Sequence, residues 1–323
     1  MGVRVTGVGS YLPPHTVDND TLSTIVETSH EWIVTRTGIE RRHISTGELS
    51  VDRSEYAARQ AIEDAGVAPA EIDLVIVATV SPDNLFPSIA CQLLNRLGIG
   101  EVMAFDLSAA CTGVLYAINV VRSMIESGTH KKALIVGNEA LSRITDWSDR
   151  GTCVLFGDGA GALVLERDDE NAVLACYSAA RSDTVDALYC RSYPMENPWC
   201  EDSDERPMFT RMNGKEVFKF ASFAMVDGVE RAAEMAGRPL SDIDWVVPHQ
   251  ANIRIIKNAA KKLAIDDDKF FVNIQHTANT GAASIPVALA EMKEKGLLKP
   301  GDELVLVAFG AGFTWGAVWL TWR

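Results

Sequence analysis

The sequence predicts an α/β protein assembled from two similar halves, and two observations carry that expectation. Apolar runs of strand length alternate with longer amphipathic runs of helical period, the pattern of sheets covered by helices on both faces. Short segments also recur in one order at nearly constant spacing. Residues 61–66 with 72–76 resemble 232–237 with 243–247 at an offset of 171, and Ala110-Cys-Thr-Gly113 resembles Ala278-Asn-Thr-Gly281 at an offset of 168. A glycine-rich turn at 157–161 pairs in the same order with one at 310–312. Repetition of this kind points to a duplicated unit. The expected halves are 1–170 and 171–323, packed as one body because each sheet needs cover on both faces.

The elements follow in order. Residues 1–8 alternate like a strand and run into Gly7-Val-Gly9, without the apolar core of a signal peptide. A helix over 54–65, closed by Gly66, precedes a buried strand at 73–79. An extended segment at 103–107 leads to a helix over 112–127, followed by a strand at 132–137. Residues 152–156 and 162–165 read as strands around a glycine hairpin. Segment 178–211, rich in Asp, Ser, Arg and Pro, reads as a long surface excursion. Helices over 214–236, 252–263 and 282–294 and strands at 244–247, 270–274 and 303–309 complete the second half.

Composition narrows the function classes. The 323 residues are 47% apolar and 23% charged, enough for a large packed core. A net charge of −14 argues against a nucleic-acid binder, so any phosphate-bearing partner needs a local basic patch. No apolar run reaches the roughly 18 residues of a membrane span. The six cysteines, at 91, 111, 153, 176, 190 and 200, show neither a CxxC pair nor a dense disulfide framework, which fits reduced thiols in a cytoplasm. No Cys/His spacing suggests a metal site, so the expected metal set is empty.

Candidate chemistry gathers at strand ends. Cys111 stands at a strand-to-helix junction among Ala109, Ala110, Thr112 and Gly113. A helix start offers unpaired N–H groups and a positive dipole end, both of which stabilise a thiolate; the competing role is core packing. Asn279 occupies the matching junction, where it either caps its helix or donates into a shared pocket. His249 follows the strand 244–247, at the rim where α/β enzymes place site residues; the competing role is a solvated helix cap. His276 has a minor claim on the same pocket. The Gly157–Gly161 motif leads into a strand instead of a helix, so it is not a dinucleotide turn. The turn Gly310-Ala311-Gly312 is placed to offer a backbone N–H to an oxyanion, or is simply a sharp connection. Arg254, Lys257 and Lys261 share one helical face and suit phosphate or an acidic carrier surface, or are merely solvated. Trp32, Arg36 and Thr37 form a second group in which an indole and a guanidinium would clamp an adenine ring.

Nearly end to end, the chain resembles β-ketoacyl-acyl carrier protein synthase III, the initiating condensing enzymes of type II fatty-acid synthesis. The resemblance rests on Glu31-Trp-Ile-Val-Thr-Arg-Thr-Gly-Ile39, Phe86-Pro-Ser88, Ala109-Ala-Cys-Thr-Gly113, Leu155-Phe-Gly-Asp-Gly-Ala-Gly161, Val247-Pro-His-Gln-Ala-Asn252, Asn279-Thr-Gly-Ala-Ala-Ser284 and Ala308-Phe-Gly-Ala-Gly-Phe-Thr-Trp-Gly316. It implies a thiolase-like duplicated five-layer αβαβα sandwich, a homodimer, and a Cys111-His249-Asn279 catalytic set. It also implies coenzyme A contacts at Trp32, Arg36, Thr37, Arg150 and Arg254, and a supporting Asn252. Gly310, Ala311 and Gly312 would form the oxyanion loop, and Lys215, with Arg254, Lys257 and Lys261, the carrier-docking face. Phe86 would reach the partner's acyl pocket, with Val114 shaping the pocket near the thiol. Thr112 and Val114 depart from the alanine and phenylalanine of many members. The implied partners are an acyl-CoA primer, as substrate and not cofactor, and malonyl-acyl carrier protein; no metal or nicotinamide is called for. A relative of specialised metabolism with another primer or acceptor, and a non-catalytic carrier-binding subunit, stand as the alternatives.

Overall fold

Strand residues alternate between two cores, and that alternation lays out the molecule. In the computed structural model, which describes residues 2–194, 197–199 and 208–323, Leu74, Ile76 and Ala78 face a central core while Val75 and Val77 face an outer one. Leu304, Leu306 and Ala308 likewise face the central core, and Val305, Val307 and Phe309 the outer core on the far side. Each sheet is therefore buried on both faces, and its strands read as apolar runs.

The first sheet has five strands in the spatial order Gly2–Tyr11, Asp158–Asp168, Lys132–Ala140, Leu74–Ala78, Met103–Leu107. The second has four, in the order Trp245–Pro248, Glu303–Gly310, Thr314–Thr321, Val173–Ala180. Helices Gly113–Glu126 and Ser284–Glu294 fill the layer between them, and both supply residues to the central core. Ser50–Ala65 and Ile89–Leu97 cover the first sheet, while Gly214–Ala236 and Ile253–Leu263 cover the second. The result is a five-layer αβαβα sandwich.

Local signals set the helix limits. Asn213 caps the 23-residue helix by accepting from the Glu216 N–H, and Gly237, at φ 64°, ends it. Gly66 ends Ser50–Ala65 in the same way.

Two expected strands are absent. Residues 152–155 form a turn, with Thr152 and Cys153 both donating from the backbone to Asp149 O; the buried Cys153 and Val154 belong to a small core with Leu22, Ile33 and Ile39. Gly157 therefore precedes a strand without closing a hairpin. Residues 270–274 make a single bridge, Val246 to Phe270, before the chain turns into Ile274–Thr277. Within 178–211, Leu188–Tyr189 and Arg211–Met212 pair as a small ribbon; Met195, Glu196 and 200–207, including Cys200, lie outside the described residues. Among the described residues, no helix is long and apolar enough to cross a membrane.

Candidate active site

The two junctions are built alike. The strand Met103–Leu107 leads to a 3₁₀ turn, Ala110–Thr112, and then to the helix Gly113–Glu126. In the second half Ile274–Thr277 leads through Asn279 to a 3₁₀ turn, Gly281–Ala283, and the helix Ser284–Glu294. The residue before each candidate side chain is an alanine with positive φ, 47° at Ala110 and 55° at Ala278. Such backbone costs about 1–3 kcal/mol and persists only where the surroundings impose it. The main chain of Asn279 is pinned across the halves, with its N–H donating to Leu155 O and its carbonyl accepting from the Gly157 N–H, both at 3.0 Å.

Cys111, His249 and Asn279 line one cavity of about 1440 Å³, with the Gly310-Ala311-Gly312 turn on the same wall. The turn presses on the nucleophile's backbone: a Cβ added at Gly310 would lie 2.8 Å from Cys111 N. Asn279 Oδ1 accepts from the Gly281 N–H at 2.9 Å, so the amide caps the following turn and keeps its Nδ2 donors. His249 is 1% exposed, its N–H donates to Val307 O at 2.8 Å, and its ring stands edge-on to Phe309. Its Nδ1 lies 2.7 Å from Ser284 Oγ.

Electrostatics here correct one expectation and add a residue. Burial pushes the Cys111 thiol up to about 12, and the Glu139 carboxylate adds to the rise; a backbone N–H opposes both without prevailing. That rise runs against the thiolate stabilisation expected from the helix start, with desolvation its largest cause. Glu139 sits on the strand Lys132–Ala140 and accepts from Ser81 Oγ at 2.6 Å and from the Val80 N–H. Burial lifts its carboxyl to about 7. Burial drives the His249 imidazole the other way, down to about 3, so it is neutral near pH 7.

That neutral imidazole has a stability consequence. The unfolded chain takes up a proton at His249 near pH 6.5, and the folded chain resists until about 3. Stability is therefore lost as pH falls through this window, by about 1.4 kcal/mol per pH unit. Glu139, raised from 4.5 to about 7, acts oppositely over the upper part of it. Comparing thermal melts of the parent and His249→Gln from pH 7 to 4 isolates the term. The parent should lose more stability on acidification than the variant, and equal slopes would refute the assignment.

The other expected site residues fall in several places. Trp32, Arg36, Thr37, Asn252, Arg254 and Lys215 line the cavity. The Arg36 and Arg150 guanidinium carbons lie 4.7 and 4.8 Å from the Trp32 ring centroid. The Thr37 hydroxyl is occupied, donating to Ile33 O and accepting from the Ile39 N–H. Asn252 caps Ile253–Leu263 through Oδ1 and donates from Nδ2 to Arg36 O at 3.0 Å, tying the two groups together. Lys257 and Lys261 are exposed, and neither joins an ion pair among the described residues. Phe86 is 84% exposed. Val114 is buried in the central core and packs beside Gly137, away from the cavity wall, because it faces the first sheet from its helix. His276 pairs with Glu291 at 3.1 Å and does not line the cavity.

Ser284 and Glu139 were missed as site residues. Ser284 closes the quoted Asn279–Ser284 motif, and Glu139 is a carboxylate at the end of an apolar strand; each signal was present in the sequence. Among the described residues, no group of three or more His, Cys, Asp or Glu side chains is placed to hold a metal.

Comparison with known proteins agrees across the whole chain. Residues 105–183 match the family model for 3-oxoacyl-[acyl-carrier-protein] synthase III, and 233–322 the model for its C-terminal part. The chain is 48% identical over 320 residues to a β-ketoacyl-[acyl-carrier-protein] synthase III of Clostridium acetobutylicum, covering 99% of this chain and 98% of the relative. The crystal structure of a 3-oxoacyl-[acyl-carrier-protein] synthase III from Aquifex aeolicus superimposes with a TM-score of 0.93 at 42% identity, covering 99% of this chain and 100% of that one. The priming β-ketosynthase of the R1128 polyketide pathway superimposes with a TM-score of 0.92 at 34% identity, covering 99% and 96%.

Proposed function

The chain belongs to the 3-oxoacyl-[acyl-carrier-protein] synthase III family of condensing enzymes, and from that premise we propose that it joins a short acyl-CoA primer to malonyl-acyl carrier protein through an acyl-Cys111 intermediate. The observation that carries the reading is the convergence of Cys111, His249, Asn279 and the 310–312 turn on one cavity. Residues 1–170 and 171–323 are read as the two halves that supply, respectively, the nucleophile and the pair of donors.

In the first half-reaction Cys111 sulfur attacks the acyl-CoA thioester carbon. The Cys111 N–H and an N–H of the 310–312 turn hold the oxyanion, and coenzyme A leaves as its thiol, carrying away the proton that Cys111 loses. A thiol near 12 needs that proton removed during attack. Neutral His249 serves when its Nδ1–H donates to Ser284 Oγ, leaving Nε2 to accept. In the second half-reaction the malonyl carboxylate leaves as CO2, and its electron pair forms an enolate of the carrier thioester. His249 Nε2–H and Asn279 Nδ2–H stabilise the enolate oxygen as charge develops on it. For this step the Ser284 hydroxyl donates to Nδ1. A hydroxyl can either donate or accept, so Ser284 supports each tautomer in turn. The enolate carbon attacks the acyl-Cys111 carbonyl and expels the Cys111 thiolate, which takes one proton from solvent to regain the thiol, giving a β-ketoacyl carrier thioester.

Trp32 and its flanking arginines suit the adenine and phosphates of coenzyme A. Lys215, Arg254, Lys257 and Lys261 suit an acidic carrier, and unpaired exposed cations retain their attraction for one. Exposed Phe86 fits the homodimer that the family resemblance implies.

Intact-protein mass spectrometry after exposure to a panel of acyl-CoA species tests the reading, followed by product analysis with malonyl-acyl carrier protein. A single acyl adduct that malonyl carrier discharges to a β-ketoacyl carrier is the expected result. Transfer of the acyl group to another acceptor would replace the reading with a specialised acyltransferase. In the same assay, reversal of Lys257 and Lys261 to Glu should raise the KM for malonyl carrier and flatten its salt dependence. An unchanged KM would move the docking face elsewhere.

A further inference from the structure

Two threonines meet where the nucleophile turn touches the oxyanion loop. Thr112 is fully buried, and its Oγ1 donates toward Thr314 Oγ1 at 2.8 Å, with Ala109 O a second acceptor at 2.6 Å. Thr314 Oγ1 in turn lies 3.2 Å from both Ala109 O and Ala311 O. Two hydroxyl oxygens at 2.8 Å hold one proton between them. The remaining proton is then directed to a main-chain carbonyl of the turn or of the loop. Each arrangement leaves the two segments joined.

The nucleophile segment is the short 3₁₀ turn Ala110–Thr112, and the loop is a hairpin connection whose strands meet at the Gly310–Thr314 pair. Ala110 has φ 47° and Gly312 φ 144°. On its far side the loop is tied by the Asp183 N–H to Gly312 O and the Arg181 N–H to Phe313 O. On its near side, the Thr112–Thr314 pair supplies the side-chain tie to the nucleophile turn. The two backbone donors assigned to the acyl-transfer oxyanion sit on these two segments, one on each.

We propose that the Thr112–Thr314 hydroxyl pair is a positioning bridge that sets the spacing between the Cys111 N–H and the 310–312 loop. The proposal rests on the acyl-transfer reading given above. An oxyanion hole works by preorganisation, so a loop free to move by a fraction of an ångström loses transition-state stabilisation while still admitting substrate. The competing account is that Thr112 is a buried hydroxyl satisfied by Ala109 O, with no bearing on rate.

Thr112→Val keeps the shape and removes the hydroxyl, and Thr112→Ser keeps the hydroxyl. Burst acylation by the best acyl-CoA should slow about tenfold in Thr112→Val, with little change in KM, and recover in Thr112→Ser. Alkylation of Cys111 by iodoacetamide needs no oxyanion hole and should be unchanged, which a general loosening of the turn would not allow. Thr314→Val should show the same loss, and the double variant should be no slower than either single one. Wild-type acylation in Thr112→Val, a parallel fall in alkylation, or additive losses in the double variant would each overturn the bridge. A parent enzyme that takes no acyl group from any acyl-CoA would instead overturn the acyl-transfer reading itself.

Discussion

Replacing Cys111 with alanine is expected to abolish the acyl-enzyme and to lower condensation by about 10⁴-fold or more, the scale seen when a covalent nucleophile is removed. Among the described residues, the surroundings of Cys91, Cys153 and Cys176 explain why these three do not substitute for it. Cys153 and Cys176 are buried within cores, and burial raises both thiols to about 11. Cys91 is exposed, on a helix covering the first sheet. Cys190 does line the cavity, so it is the informative control. Peptide mapping after brief exposure to acyl-CoA should place the acyl group on Cys111 alone. A stable substrate-derived adduct on Cys91, Cys153 or Cys190 with Cys111 free would refute the assignment. Since His249 and Asn279 remain in Cys111→Ala, the variant should still bind malonyl carrier.

His249→Ala and Asn279→Ala should each lower condensation by about 10²–10³, the usual cost of one oxyanion donor, while acyl transfer to Cys111 suffers less. The asymmetry follows from where charge develops. In the proposed condensation both side chains would face the enolate oxygen, whereas in the proposed acyl transfer the oxyanion would be held by backbone N–H groups that neither substitution removes. His249 is also the proposed proton acceptor, so its loss should slow acylation more than the loss of Asn279 does. Burst labelling with acyl-CoA, followed by single turnover with malonyl carrier, separates the steps. Equal losses in both steps for Asn279→Ala would assign it a structural role, as the capping bond to Gly281 would predict.

How much of this was legible in the sequence varied with the kind of signal. The helix Gly214–Ala236 is legible to the residue, and the structure shows Asn213 capping its start and Gly237 ending it. The buried strands were legible as unbroken apolar runs. Cys153 and Val154 misled for the same reason, since a buried turn and a buried strand present the same apolar face. Phe270 and Phe271 do point to opposite cores, as strand neighbours should, yet the ladder stops after one bridge. The motif residues Cys111, His249 and Asn279 were singled out by position, and the cavity gathers all three. The protonation of the thiol was illegible, because it depends on burial and on Glu139, 28 residues along the chain and brought near only by folding.

The glycines around the two junctions limit how this site can change. A methyl at Gly137 would meet Ala282 O at 2.4 Å, one at Gly113 the Ala78 side chain at 2.8 Å, and one at Gly161 the Pro286 side chain at 2.6 Å. These contacts lock the central helices against the first sheet, and overfilling such a core costs about 1–3 kcal/mol per added group. The packing behind the nucleophile helix is thus incompressible, a wall that lineage or engineer cannot push back. Leu85 and Tyr193 line the cavity and are largely exposed, with room to exchange one bulk for another. Diversification of substrate size among descendants of this chain would therefore be written on the rim, over a foundation that stays fixed.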